Sequence, residues 1–195
     1  YEGNVGVIRN AATSTSITNI FVSGHAGIAG HFTLNNTVGG SSSINPSGST
    51  VDTIQGAVNI TVGRSGSLQH HFVMQGIVNN SGGNINIANV TKLILSGNTL
   101  NTPVSISGLA LSTENTIRGN RITGNFPIEH TVGTHASINA GGNKFNGNAI
   151  FNLVGGELNT GYSGFGADTV NGNTSFTLGD EERLVESHSF KNKYN

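Results

Sequence analysis

The chain has 195 residues, enough for one domain with a sizeable buried core. Only 10% of them are charged and the net charge is −1, which gives no electrostatic case for a nucleic acid or an anionic membrane as partner. Cysteine is absent, excluding a disulfide scaffold and thiolate chemistry, and the 29 glycines sit among plentiful Asn, Thr, Ile and Val, a mixture that reads as folded β structure rather than disorder.

Residues 1–50 carry weak strand signals, with "SGHAGIAGHF" followed by an expected loop from Gly39 to Ser49. The first residue is Tyr1 and no signal-like segment follows, so the chain is expected to be a processed product or a fragment. No apolar run reaches the roughly 18 residues that a membrane helix needs, so no membrane insertion is expected.

From residue 50 onward a glycine recurs before short alternating segments, at Gly56, Gly76, Gly97, Gly119 and Gly142. The steps are 20, 21, 22 and 23 residues. The last three glycines are each followed by asparagine, at Asn98, Asn120 and Asn143. "NINIANVTKLILSGN", "PVSISGLALS" and "NTIRGNRITGNFPI" alternate apolar and polar residues with a period of two, which predicts strands broken by turns. One coil of 20–23 residues holds about three such strands and cannot bury its inward side chains alone. Stacking the next coil about 4.8 Å away buries them and completes the backbone hydrogen bonds. Gly97, Gly119 and Gly142 then turn one corner, and the asparagines after them form a ladder of side-chain amides.

The expected fold is all-β, a parallel β-helix over residues 1–154, best defined over 50–154. Residues 155–195 lose the repeat and end in the charged "DEERLVESHSFKNKYN". They are expected to form an irregular C-terminal segment, either a polar cap or a trimerisation element.

The phrase "NTIRGNRITGN" resembles the coils of right-handed parallel β-helix proteins, the pectate-lyase-like superfamily. That group includes polysaccharide lyases and hydrolases, secreted bacterial adhesins and bacteriophage tailspikes. The resemblance implies the right-handed sense and, with the low charge, the absent cysteine and the C-terminal extension, a tailspike or fibre segment. Such a segment would be a homotrimer on the virion tail or outside the cell, attaching to host surface polysaccharide. A polysaccharide-cleaving lyase or glycosidase of the same fold is the alternative, and a secreted adhesin the second.

Cleavage chemistry calls for paired carboxylates or a carboxylate with a base. Glu114 and Glu129 fall at different places in the repeat, and Asp52 and Asp168 have no evident partner, so the acids read as solvated surface groups. His70 and His71 are neighbours on a predicted strand and point to opposite faces, so the pair cannot chelate one ion; no metal or other cofactor is expected. His130 and His135, with Glu129, could meet around a turn. Arg121 and Lys144 share one place in the repeat and should stack outward, near Arg118, where an acid or an anionic sugar would relieve their repulsion. Tyr162 and Phe165 are the candidate aromatic pair for a sugar face, with core packing or a trimer contact as the alternative for Phe165. The candidate ligand contacts are therefore Arg121, Lys144, Glu129, His130 and Tyr162.

Overall fold

The computed structural model describes the chain except for residues 10–16, 22–24, 26, 39, 49, 64–69, 109–114, 131–136, 154–156, 162–163, 179–182, 187–192 and 195. The described residues form 24 short strands and no helix, from Val5–Arg9 to Lys193–Tyr194. Every third strand stacks on itself, so the chain winds through three parallel sheets of eight strands each. This is a parallel β-solenoid, and the stacked strands extend roughly 35 Å along its axis at about 4.8 Å per coil.

Equivalent positions can be followed up the first sheet. Arg9, Asn36, Val62, Ile87, Ile106, Ile128, Phe151 and Phe176 lie one above another. The coil lengths they define are 27, 26, 25, 19, 22, 23 and 25 residues, a wider spread than the sequence repeat predicts. The variation is taken up between strands, while the strands keep register.

Inward positions carry the core. Leu34, Ile60, Ile85 and Val104 form one buried column and Ile54, Leu100, Ile122 and Phe145 belong to another wall. Phe126 and Phe145 stack across two walls with ring centroids 4.7 Å apart, and Phe151 lies on Phe176 of the next coil at 5.1 Å. At the N-terminal end Tyr1, Phe21 and Phe32 run as a chain of tilted rings.

The second-to-third sheet corner has a rule of its own. The residue directly after the second-sheet strand is left-handed in seven successive coils: Phe21, Asn45, Gly76, Gly97, Gly119, Gly142 and Gly161. Gly76, Gly97, Gly119 and Gly142 are the glycines read from the repeat. Gly56 is not one of them. It lies at the third-to-first sheet corner, where a Cβ would run into the Gly30 backbone of the coil below. There the glycine serves close backbone approach and not a left-handed turn.

Residues 155–195 supply strands Glu157–Thr160, Thr169–Val170, Thr174–Leu178, Arg183–Glu186 and Lys193–Tyr194, all parallel to the strands before them. The repeat that fades from the sequence there is kept by the backbone. Irregularity is concentrated in the connections, such as the glycine-rich stretch before Thr169.

Candidate functional site

Two features share the second-to-third sheet corner: an amide ladder inside and a groove outside. Inside, Asn98, Asn120 and Asn143 are buried, at 1–2% exposure. Asn98 Nδ2 donates to Asn120 Oδ1 at 2.9 Å, and Asn120 Nδ2 donates to Asn143 Oδ1 at 3.0 Å. Each second amide hydrogen satisfies a backbone carbonyl one coil back, of Met74, Leu95 and Ile117. The Asn98 and Asn120 side-chain oxygens also accept the backbone N–H of Ile77 and Asn98.

The ladder ends on Asp168. Its Oδ1 accepts Asn143 N–H and Nδ2–H at 3.0 and 2.8 Å, and its Oδ2 accepts Gly161 N–H at 3.0 Å. Asp168 is therefore a buried structural acid, 3% exposed, not the surface acid that its sequence setting suggests. Burial raises its carboxyl above the usual aspartate range, and the three donated hydrogen bonds oppose that rise. Asp52 and His70 are likewise fully buried. Burial lowers the His70 imidazole below its usual range, and its Nδ1 bonds the Gly63 carbonyl.

The outside of the corner is shaped by unequal connections. In the four middle coils, the second and third sheets are joined by one or two residues, as at Gly76 or Gly97–Asn98. The coil before them inserts residues 45–51 and the coil after them inserts 161–168. Each long loop is tied at its base by a buried side chain. Asn45 Nδ2 donates to the Thr50 carbonyl at 2.7 Å, and Asp168 holds Gly161. The short corners thus lie between two shoulders.

Between the shoulders is a groove of about 360 Å³. Ser47, Thr50, Val51 and His25 form one wall, and His25 Nδ1 lies 3.2 Å from the Val51 carbonyl oxygen. Gly76 and Gly97 form the floor. The far side is a register column, Gln75, Ser96 and Arg118, at the ends of three stacked second-sheet strands. Gln75 Nε2 donates to the Pro46 carbonyl at 2.7 Å, tying that column to the first shoulder. Arg118 Nε donates to Ser96 Oγ at 3.0 Å, and its guanidinium carbon stands 5.3 Å from the centre of the Phe165 ring, part of the second shoulder. The described lining contains hydrogen-bonding groups and one cation, with no carboxylate among them.

The sequence-derived ligand residues are not gathered at one place. Arg121 and Lys144 are direct neighbours in the third sheet, and both are exposed. Glu129 and His130 lie on a first-sheet strand, Phe126–His130, so another face of the solenoid carries them. Tyr162 and His135 lie outside the described residues. The sequence reading named Arg118 and Phe165 but did not bring them together. It missed Gln75 and Ser96, and the signal available was the unequal loop length at one corner. Comparisons with protein-family models, with curated proteins and with solved structures each return no match.

Proposed function

We propose that this chain is an attachment segment of bacteriophage tailspike or fibre type, homotrimeric, that holds host surface polysaccharide and works on the virion tail or outside the cell. The observation that carries this reading is the groove: an open, hydrogen-bonding recess cut into the side of a rigid parallel stalk. Sugars present many hydroxyls and weakly apolar ring faces. A recess with Ser, Thr, Gln, Arg and bare glycine backbone offers donors and acceptors for the first and room for the second. A solenoid supports such a recess well, because its wall is fixed by coil-to-coil hydrogen bonds and little order has to be gained on binding.

Retention of the chain on purified bacterial surface polysaccharides, with Gln75 and Arg118 variants as controls, tests the attachment reading. Binding that falls in those variants is the expected result; no retention on any polysaccharide overturns it. Sedimentation equilibrium tests the assembly. Three copies of the 20.1 kDa chain give roughly 60 kDa, whereas a mass of one chain refutes the trimer.

A further inference from the structure

We propose that the groove selects a sugar bearing a carboxylate, with Arg118 as its receptor; this rests on the attachment reading and narrows it. Arg118 is exposed, yet two sides of its guanidinium are held. Nε donates to Ser96 Oγ at 3.0 Å, and the ring of Phe165 lies against the group at 5.3 Å. The two terminal nitrogens remain as a planar pair of donors, and no acid among the described residues pairs with them. A guanidinium fixed in this way matches a carboxylate in bidentate fashion, and less ordering is needed because the fork is already set.

The surroundings favour an incoming anion. The described lining of the groove contains no carboxylate to compete for the cation. Beside Arg118 the floor is backbone: a Cβ built on Gly97 meets no atom within 4 Å. A pyranose ring can therefore come down onto the floor with its carboxylate toward Arg118. At the other end Gln75 has its amide nitrogen committed to Pro46, which leaves its side-chain oxygen as an acceptor for a sugar hydroxyl. Arg121 and Lys144 stand one sheet away and outside the groove, so they are not part of the receptor.

A sugar carboxylate has two sources, an internal uronate or a terminal acidic sugar, and the probes separate them. The whole chain is titrated with tetragalacturonate and its methyl ester, and with sialyllactose and lactose, at low salt. The acid member of one pair should bind tighter than its neutral counterpart by about 10–100-fold, the range of a charge-assisted hydrogen-bonded pair. The pair that shows the preference identifies the source. Arg118→Gln should abolish the preference, Arg118→Lys should keep only part of it, and Ser96→Ala should weaken it several-fold by releasing Nε. Arg121→Gln should leave it within about two-fold. Equal binding of acid and neutral members, or a preference that survives Arg118→Gln, overturns the assignment and leaves polysaccharide attachment standing. Binding of none of the four probes also overturns it, and the polysaccharide retention assay then decides the attachment reading by itself.

Discussion

Substituting Asn120 by alanine tests how much the ladder contributes to stability. The Asn120 side chain makes four hydrogen bonds, all buried: Nδ2 to Leu95 O at 2.9 Å and to Asn143 Oδ1 at 3.0 Å, and Oδ1 from Asn98 N at 3.1 Å and Asn98 Nδ2 at 2.9 Å. At about 1 kcal/mol net per bond the loss is about 4 kcal/mol, and the backbone N–H of Asn98 loses its partner in a place that water does not reach. An expected cost of about 3–5 kcal/mol corresponds to a fall in Tm of roughly 10–15 °C for a chain of this size. The control is Asn171→Ala. Its amide makes one exposed bond, to Asn146 Oδ1 at 2.9 Å, and its loss should stay within about 0.5 kcal/mol. Urea unfolding followed by far-UV circular dichroism reads both. If Asn120→Ala costs under about 1 kcal/mol, no more than one exchanged hydrogen bond, then the buried amides are not stabilising the stack and the reasoning fails.

Glycine position should matter within one corner. Gly119→Ala meets only the Gly97 backbone nitrogen at 4.0 Å, an ordinary contact, and costs the left-handed strain, about 1–2 kcal/mol, whereas Gly142→Ala drives a methyl into the Phe165 carbonyl and should cost clearly more in the same unfolding assay. The buried Asp168 binds its proton more tightly folded than unfolded. Its contribution is complete below the ordinary value of 3.8 and is lost as pH rises through the higher folded value. Stability of the parent chain should fall over that window, and Asp168→Asn should remove this slope while facing its new NH₂ against the Gly161 N–H. His70 runs the other way: its lowered folded pKa makes stability present above 6.5 and lost as pH falls, so His70→Gln should flatten the acid side of a Tm–pH curve.

The parts of the fold legible in the sequence are those where one residue type meets one physical demand. Left-handed backbone asks for glycine, so Gly76, Gly97, Gly119 and Gly142 announce their corner. Asn45 and Phe21 occupy the same backbone position without the glycine mark, and that hides the first two coils. The ladder was visible as Asn98, Asn120 and Asn143, but its end was not. Asp168 follows the left-handed Gly161 by seven residues, because an inserted loop separates the corner from the ladder position. The groove was hidden for a related reason. It is made by what short corners leave open between two longer ones, and no local motif encodes a gap. Arg121 and Lys144 drew attention because their repeat position is plain, while Arg118 gains its place only once Ser96 and Phe165 are next to it.

The amide ladder also has an electrical sense. Every carboxamide in it donates toward the C-terminal end, from Asn98 to Asn120 to Asn143 to Asp168. The amide dipoles are therefore aligned head to tail, with their positive ends toward the carboxylate. Hydrogen bonds in such a chain polarise one another, so the anion is solvated by the whole series and not by its nearest neighbour alone. Asp168 becomes a remote gauge of coils far below it: cutting the series at Asn98 should push the carboxyl titration further upward, readable by NMR at a residue that the substitution never touches.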